Sequence, residues 1–452
     1  MTGSARGVAY DTLRAVSESD AYANLLLPRE LRRAGLSGPD AALATELTYG
    51  TLRRQGTYDA IISDAAGRPP TEIDPPVLDA LRLGVHQLLA MRTPTHAAVN
   101  ETVRQVRQAA GASAAGFANA VLRRVSERTA EEWEERLERD ARSDDERLGV
   151  RHAHPVWIIR AFRRALSAEG RADELEALLA ADNAAPSVTM TALPALAARP
   201  DGATATPYSP IGFRLGGGDP GPVIAAAEGR VRVQDEGSQL AALALTRATP
   251  VRRGERWLDL CAAPGGKTAV LAAEALAGGA VVEANEPSAA RAKLVRDSVV
   301  GIPLKVPVSE EDGRTRAGRG RYDRILVDAP CTGLGALRRR PEARWRKSPA
   351  DVPDLTELQG GLLTAAIEAL APGGIVAYVT CSPHLAETSG IIAEARRRFG
   401  GAIEELDTRA VLQSIVDTPI DLPEPIDGSG RAQLWPHRHG TDAMSISLLR
   451  RS

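Results

Sequence analysis

The chain has 452 residues, a formal net charge of −2 at pH 7, 43% hydrophobic residues and 25% charged residues. This length exceeds one ordinary domain, and the composition excludes both an intrinsically disordered chain and a uniformly basic nucleic-acid binder. The N-terminus lacks the apolar run of a secretory signal, and no stretch of eighteen uncharged apolar residues occurs. We therefore expect a cytoplasmic protein without a membrane span.

The N-terminal region, residues 1–126, is predicted to form an all-α domain. Apolar residues recur at near-helical intervals through residues 77–89 and again through residues 99–125, and no alternating, strand-like pattern interrupts them. Residues 127–150 are densely charged with both signs mixed, which is typical of a solvated helix or a linker. We treat this segment as the connection out of the helical domain.

The pattern changes after residue 150. Residues 151–230 combine a short helix-like stretch with strand-like pieces and indicate a small α+β module. From residue 231 to residue 452, strand-like runs (RWLDL, AVVEAN, YDRILVD, GIVAYVT) alternate with helix-like stretches and end in turns that contain glycine or proline. Such alternation predicts a mostly parallel sheet with helices on both faces. Because ligands of these folds bind beyond the carboxyl ends of the strands, functional residues are expected in the turns that follow them.

The first such turn has the sequence LDLCAAPGGKT. Its adjacent glycines, Gly265 and Gly266, let the backbone approach a ligand closely, and the helix that follows offers free N–H groups. The ending GKT matches a phosphate-binding P-loop, but that motif needs a glycine where Cys261 stands. The turn also lacks the G-x-G-x-x-G pattern of a dinucleotide site. Both of these phosphate-binding interpretations are therefore disfavoured.

Two acidic residues downstream of this turn could hold a nucleoside. Glu286 ends the next strand-like run, twenty residues after Gly266, where a carboxylate can accept hydrogen bonds from both ribose hydroxyls. The alternative is an acid in the first turn of the next helix. Asp312 could accept a hydrogen bond from an adenine amino group, although Asp-Gly is also an ordinary turn pair. Taken with the glycine turn, the ribose role is favoured for Glu286.

Two of the three cysteines follow predicted strands of this sheet. The run YDRILVD leads directly into Asp328 and Cys331, and the run GIVAYVT leads into Cys381. The two cysteines are fifty positions apart with a helix-like stretch between them, which is the length of a crossover that can bring two parallel strands side by side. We therefore expect both thiols at the sheet edge that carries the glycine turn.

A pair of thiols at such an edge suits methyl transfer to C5 of cytosine. This carbon is a poor nucleophile until a thiolate adds at C6, which is covalent catalysis by a partly ionised cysteine. The C5 proton must then leave before the thiol departs, and a second cysteine or Asp328 could assist. The alternatives are inert packing, a disulfide, and a zinc site that uses Cys381 and His384. The position at strand ends beside the glycine turn weakens the first alternative, and no second paired-ligand motif supports zinc.

The motifs LDLCAAPGGKT, DAPCTG and TCS resemble, in the same order, the Sun (Fmu) family of bacterial 16S ribosomal RNA cytosine-5 methyltransferases. RVQDEGSQLAA is similar to the segment that precedes the family's first motif, and VNETVRQVRQ and FANAVLRRV resemble a NusB-like domain. The resemblance implies a multidomain chain: an all-α NusB-like RNA-binding domain (1–126), a charged linker (127–150), a small α+β RNA-binding module (151–230), and a C-terminal α/β Rossmann-like methyltransferase domain (231–452).

The same resemblance implies a role for each residue that matches a family motif. Cys381 matches the nucleophile, and Cys331 matches the residue that promotes product release. The residues that match the S-adenosyl-L-methionine site are Cys261, Ala262, Ala263, Pro264, Gly265, Gly266, Lys267, Glu286, Asp312 and Asp328. Glu286 stands where the family usually has Asp, a departure that keeps both acceptor oxygens. No metal site is predicted.

The resemblance and one missing motif favour RNA as the substrate. DNA cytosine-5 methyltransferases use the Pro-Cys cysteine as the nucleophile together with a Glu-Asn-Val motif, and that tripeptide is absent from the chain. We expect a monomer that acts on 16S ribosomal RNA and not on DNA. Transfer RNA as the substrate, and a NusB-like RNA-binding factor with a non-catalytic methyltransferase scaffold, stay open as alternatives.

A basic run begins seven residues after Cys331. It comprises Arg338, Arg339, Arg340, Arg344, Arg346 and Lys347. The run could hold phosphates around the target base, in which case the affinity for RNA would fall as the salt concentration rises. The alternative is a solvated charge run. Its position beside the predicted active-site turn favours phosphate contact.

Overall fold

The computed structural model describes residues 3–19, 21–316, 318 and 322–452, and the chain divides into two compact units. The helical unit comprises Met1–Arg160, Leu179–Ala184 and Leu337–Arg346. The sheet unit comprises Ala161–Leu178, Ala185–Ala336 and Lys347–Ser452. Among the described residues, no helix is both long enough and apolar enough to cross a membrane.

The helical unit is built from helices that bury apolar side chains in a shared core. Its helices are α1 (Ala5–Glu18), α2 (Ala23–Arg33), α3 (Gly38–Arg53), α4 (Gln55–Ala66), α5 (Pro75–Leu89), α6 (Thr95–Val125), α7 (Ala130–Arg139) and α8 (Asp144–His152), while α9 (Val156–Ser167) and α10 (Leu175–Asn183) are divided between the units. The predicted periodic stretches become α5 and α6, and their Leu81, Val85 and Leu122 are fully buried. The predicted all-α fold of this region is confirmed.

The charged segment 127–150, interpreted from the sequence as a solvated helix or a linker, contains α7 and most of α8. Thr129 begins α7 with a capping box, in which its side chain and that of Glu132 each accept a backbone N–H of the other residue. Trp133 is 1% exposed and donates its indole N–H to the carbonyl of Val125 at 2.9 Å. This aromatic side chain packs the segment against the core of the helical unit. The charge pattern of the segment does not predict that contact.

The small sheet of the sheet unit has four antiparallel strands in the order β2-β3-β1-β4. Its elements are β1 (Thr189–Ala192), β2 (Thr204–Ala205), β3 (Gly212–Arg214), α11 (Gly221–Ala226) and β4 (Val231–Val233). Met190, Phe213 and Val231 are buried together. Residues 151–230 thus combine helices and strands, and β4, which starts just past the predicted boundary, completes the small sheet by pairing with β1.

The large sheet contains the remaining strands. These are β5 (Arg256–Asp259), β6 (Val281–Asn285), β7 (Val308–Ser309), β8 (Tyr322–Asp328), β9 (Leu370–Thr380), β10 (Ile403–Glu405), β11 (Ala432–Gln433) and β12 (Ser445–Arg451). Five of them are parallel in the order β9-β8-β5-β6-β7, and β12 runs antiparallel between β9 and β10 and also pairs with β11. Because β5, β8 and β9 are adjacent and parallel, their carboxyl ends meet at one edge of the sheet.

Helices follow most of these strands. They are α12 (Glu236–Thr246), α13 (Gly266–Gly278), α14 (Ala289–Val299), α15 (Gly313–Arg316), α17 (Asp351–Ala369), α18 (Ser389–Phe399), α19 (Thr408–Ile415) and α20 (Pro436–His439), while α16 (Ala343–Arg346) belongs to the helical unit. The neighbouring residues Trp257 and Leu258 of β5 belong to two different apolar clusters, as the alternation of side chains along a strand requires. The predicted Rossmann-like fold is confirmed.

The segment Leu337–Arg346 belongs to the helical unit although it lies between two parts of the sheet unit in the sequence. Arg344 is 0% exposed, and its guanidinium donates to the carbonyls of Arg53 at 2.8 Å and Asp182 at 2.9 Å. Burial lowers its pKa to about 10, so the side chain keeps its charge at neutral pH. The predicted phosphate contact is wrong for Arg344, because the side chain is fully buried and its two terminal nitrogens donate inside the protein. Arg346 also donates to backbone carbonyls of this unit.

Candidate active site

The two cysteines predicted to meet at the sheet edge lie side by side. Cys331 follows β8 and Cys381 follows β9, and their Sγ atoms are 3.5 Å apart, within hydrogen-bond distance for sulfur. The backbone N–H of Gly335 donates to the carbonyl of Cys381 at 2.8 Å, which ties the two turns together through the main chain. Both cysteines are partly exposed. The crossover geometry expected from the spacing is thus present.

The two thiols differ in acidity. The hydrogen bond from Cys331 lowers the pKa of the Cys381 thiol below its ordinary value, although burial and the charge of Asp328 oppose this shift. In the other direction, the hydrogen bond to Cys381 and burial raise the pKa of Cys331 well above its ordinary value. The contact between the two thiols thus favours the thiolate form at Cys381 and the neutral thiol at Cys331. Because the thiolate is the reactive form of cysteine, this difference makes Cys381 the more reactive of the two thiols.

Lys267 and Asp328 form an ion pair beside these cysteines. Nζ of Lys267, in the first turn of α13, lies 2.7 Å from Oδ2 of Asp328, at the end of β8. Burial lowers the pKa of Lys267, but the charge and hydrogen bond of Asp328, together with the charges of Cys381 and Asp259, outweigh it, and the net shift is upward. Lys267 is thus an ammonium at neutral pH, and its charge favours the thiolate of Cys381. Both residues were predicted to contact the cofactor, which stays a prediction, and the structure places them beside Cys381.

The glycine turn between β5 and α13 has the tight geometry that its sequence suggests. Gly265 has φ +103°, and a Cβ atom there would lie 2.1 Å from Oγ of Ser298, so this position requires glycine. Gly266 is the first residue of α13. Burial raises the pKa of Cys261 well above its ordinary value, and the surrounding carboxylates add to the effect. Cys261 is therefore a neutral thiol, which is less reactive than a thiolate.

Asp259, at the end of β5, is a buried acid that the sequence analysis did not single out. Its Oδ2 accepts a hydrogen bond from Oγ1 of Thr268 at 2.7 Å, which closes the base of the glycine turn. Burial raises its pKa to about 7. Its position was the available signal, because Asp259 ends a strand two residues before Cys261, inside the motif LDLCAAPGGKT.

Glu286 lies at the end of β6 and is 2% exposed. Its oxygens accept the backbone N–H of Ser288 at 3.1 Å and pair with Arg291, an exposed side chain, at 3.4 Å. The residue before it, Asn285, was not predicted. Its side-chain nitrogen donates to the carbonyls of Leu260 and Glu311 at 3.3 and 3.0 Å, which holds the loops after β5 and β7 together.

Asp312 lies in the loop after β7 with its side chain 44% exposed. Its carboxylate accepts the backbone N–H of Arg314 at 2.9 Å and pairs with the guanidinium of the same residue at 2.6 Å. The side chain is thus occupied by its own loop, and the contact with adenine stays a prediction. Ala262, Ala263 and Pro264 complete the turn, in which the N–H of Gly265 donates to the carbonyl of Ala262 at 2.7 Å.

Glu387 contacts both cysteine turns and was also not predicted from the sequence. It is 0% exposed and accepts hydrogen bonds from the side chains of Thr332 and Ser382, the residues that follow the two cysteines. Its location six residues after Cys381 carried no local signal. Among the described residues, no group of three or more His, Cys, Asp or Glu side chains could hold a metal ion. All three cysteines of the chain are free thiols.

Two family models match the chain. The model described as 16S rRNA methyltransferase RsmB/F matches residues 248–450, and that of the NusB family matches residues 3–127. A protein of Mycobacterium tuberculosis named as a methyltransferase, Rv1407, is 50% identical over 453 residues, which is 99% of this chain and 96% of that protein. Ribosomal RNA small subunit methyltransferase B of Pseudomonas putida is 35% identical over 423 residues, which is 90% of this chain and 92% of that protein.

Solved structures share the fold over all or part of the chain. The crystal structure of PH0851 covers 98% of both chains with a TM-score of 0.80 and 22% identity. A methyltransferase homolog protein from Pyrococcus horikoshii covers 68% of this chain and 98% of its own, with a TM-score of 0.53 and 21% identity. At these identities the likeness concerns the fold. Relatives matched along almost the whole chain, together with both family models, show that the protein belongs to the RsmB/F family of S-adenosylmethionine-dependent 16S rRNA methyltransferases and carries a NusB-family domain at its N-terminus.

Proposed function

We propose that this protein methylates C5 of a cytosine in 16S ribosomal RNA, with Cys381 as the nucleophile and Cys331 as the residue that promotes release. The observation that carries the proposal is the pair of thiols 3.5 Å apart at the carboxyl ends of β8 and β9, with Cys381 made more acidic and Cys331 less acidic. Membership of the family supports ribosomal RNA as the substrate, and the NusB-family domain supports an RNA-binding role for the helical unit.

The residues at the sheet edge fit S-adenosylmethionine. Glu286 places a buried carboxylate at the end of β6, where its two oxygens can accept hydrogen bonds from two ribose hydroxyls. The backbone of Gly265 and Gly266 leaves room for close approach, and α13, a helix of 13 residues, begins there with amides that attract a carboxylate. We infer that Cys261 through Lys267 hold the methionine part and Glu286 the ribose. Asp312 and Asp328 are the other proposed contacts.

When bound, S-adenosylmethionine supplies a methyl group on a positively charged sulfur. The Cys381 thiolate forms a bond to C6 of cytosine, and the electron pair of the C5=C6 double bond becomes available at C5. A donor held by Cys261 through Lys267 and by Glu286 would then give its methyl group to C5 and leave as a neutral thioether that keeps the electrons of the former sulfur–methyl bond. Lys267 stabilises the attacking thiolate before this step.

Release of the product requires the loss of the C5 proton. We propose that Asp328, at the end of β8, accepts this proton, and that the electrons of the C5–H bond restore the C5=C6 double bond. The electrons of the C6–S bond then return to Cys381. The Cys331 thiol, which keeps its proton, stabilises the departing thiolate by donating a hydrogen bond across the same 3.5 Å. The target base must be unstacked to reach Cys381.

The test is methyl transfer from labelled S-adenosylmethionine to 16S ribosomal RNA by the full-length protein. Cys381→Ala should abolish transfer, whereas Cys261→Ala, which removes a thiol with a raised pKa, should retain a measurable rate. Turnover by Cys381→Ala would end the nucleophile assignment. Transfer to tRNA alone, or no transfer by the wild-type protein, would favour the alternative substrate or the non-catalytic scaffold.

A further inference from the structure

Glu387 is a buried carboxylate that the proposed chemistry does not use. It lies in the short 3₁₀ helix Leu385–Glu387 after β9 and is 0% exposed. A carboxylate removed from water is unfavourable unless its oxygens are satisfied. The groups that donate hydrogen bonds to Glu387 therefore indicate its role beside the two cysteine turns.

Four donors saturate this carboxylate. Oε1 accepts the backbone N–H of Thr332 at 2.8 Å and the amide of Gln359 at 3.2 Å. Oε2 accepts the hydroxyl of Thr332 at 2.5 Å and that of Ser382 at 2.6 Å. A carboxylate has about four acceptor sites, so all of them are in use. All four donors are neutral groups, and within the described part of the chain no cation forms an ion pair with Glu387.

These bonds join the two cysteine-bearing turns through a single side chain. Thr332 directly follows Cys331, and Ser382 directly follows Cys381. The hydroxyls of Thr332 and Ser382 also lie 3.0 Å from each other. The same amide group of Gln359 donates to the carbonyl of Pro330 at 2.8 Å, so the residue before Cys331 is held as well. Loss of the carboxylate would therefore remove a side chain that bonds both turns and leave only the direct contacts between the turns to hold them.

The charge of Glu387 acts on one cysteine more than on the other. Its repulsion is among the causes that raise the pKa of Cys331, after the hydrogen bond to Cys381, burial and the charge of Cys381. The charges that act on Cys381 come from other sides of the site: Asp328 at the end of β8, Lys267 in α13, and Asp442 before β12. Tyr378 of β9 also faces Cys331, Cys261 and Glu387, and burial raises its pKa well above the ordinary value, so it stays neutral.

We propose that Glu387 is a positioning residue that holds the two cysteine turns in register and, by its fixed negative charge, keeps the shared proton on Cys331. The division of labour between the two thiols then depends on a carboxylate that touches neither the RNA nor the methyl donor. Its importance for turnover rests on the proposed function, whereas its effect on the two thiols can be measured without RNA and without S-adenosylmethionine.

The experiment is site-resolved alkylation of the full-length protein by iodoacetamide as a function of pH, read by mass spectrometry at each cysteine. Removing a negative charge favours ionisation of Cys331, so Glu387→Gln should lower the pH midpoint of Cys331 alkylation by about one unit and speed the reaction about tenfold below that midpoint. The midpoint of Cys381 should move less. Glu387→Asp, which withdraws the charge by one methylene, should give a smaller shift in the same direction.

Glu169→Gln is the matched control. Glu169 is also a buried carboxylate of the sheet unit, 6% exposed, and accepts the indole N–H of Trp435 at 3.0 Å and a guanidinium N–H of Arg438 at 3.1 Å. This variant should lose thermal stability and leave both alkylation profiles unchanged. A folded Glu387→Gln protein with wild-type profiles, or with equal shifts at both cysteines, would overturn the proposal. If Glu387→Gln does not fold, an unchanged Cys331 profile in Glu387→Asp overturns it.

A second readout separates this proposal from the proposed function. Because Cys331 assists release only while it carries its proton, Glu387→Gln should accumulate more covalent RNA–protein adduct than the wild-type protein does. If Cys381→Ala retained turnover, the nucleophile assignment would fail while the alkylation result for Glu387 stood. If Glu387→Gln left alkylation unchanged, the positioning role would fail while the nucleophile assignment stood.

Discussion

Replacing Cys331 by alanine should make Cys381 a weaker acid. The hydrogen bond from Cys331 is the largest cause of the lowered pKa of Cys381, and the variant removes it. A hydrogen bond to a charged group contributes about 1.5–3 kcal/mol, and a thiol is a weak donor, so the lower limit applies to this pair at 3.5 Å. About 1.5 kcal/mol corresponds to an increase of about one unit in the pKa of Cys381.

The assay is alkylation of Cys381 by iodoacetamide across a pH series, in the absence of RNA. Only the thiolate reacts, so below the midpoint the rate at Cys381 should fall about tenfold in Cys331→Ala, and the midpoint should move to higher pH. Cys331→Ser keeps a hydroxyl donor at the same position and should show a smaller shift. A midpoint that stays in place, or moves to lower pH, in Cys331→Ala would refute the assignment of Cys331 as the donor of this hydrogen bond.

Four further outcomes are expected. Cys331→Ala should accumulate an RNA–protein adduct stable on denaturing gels, because the departing thiolate of Cys381 loses its hydrogen-bond donor. The absence of this adduct would contradict the proposed role of Cys331 in release. Glu286→Ala should weaken S-adenosylmethionine binding in calorimetry, and an unchanged affinity would remove Glu286 from the ribose site. Lys267→Met should slow methyl transfer at neutral pH and recover in part at higher pH, because the pKa of Cys381 rises when the ammonium is lost; a uniform loss at every pH would limit Lys267 to cofactor binding. Arg344→Met should lower the free energy of unfolding by about 3 kcal/mol, because buried carbonyls lose a charged donor, and a wild-type thermal transition would contradict this role.

The parts of the site that could be predicted from the sequence are those encoded by short stretches of chain. Gly265, Cys331 and Cys381 each sit in a turn that follows an apolar run, and parallel strands carry such turns to one edge of the sheet. Spacing was enough to expect the thiols close together. The family resemblance, and not the spacing, implied which thiol attacks.

Contacts between distant parts of the chain could not be predicted in this way. Arg344 reaches the carbonyl of Arg53 across 291 positions, and in the sequence it is one cation in a basic run. Trp133 lies among acidic residues, yet its indole is buried in the core of the helical unit. Glu387 is linked to Thr332 across 55 positions, and a single acid after a turn has no periodicity that would reveal its burial. In each case the partner is set by the tertiary fold.

The most direct test of the central claim is bisulfite sequencing of 16S ribosomal RNA from a strain that lacks this gene and carries either the wild-type gene or its Cys381→Ala variant on a plasmid. One cytosine should lose its protection from bisulfite in the deletion strain, regain it with the wild-type gene, and stay unprotected with Cys381→Ala. Protection restored by Cys381→Ala, or no cytosine of 16S ribosomal RNA changed by the deletion, would contradict the account.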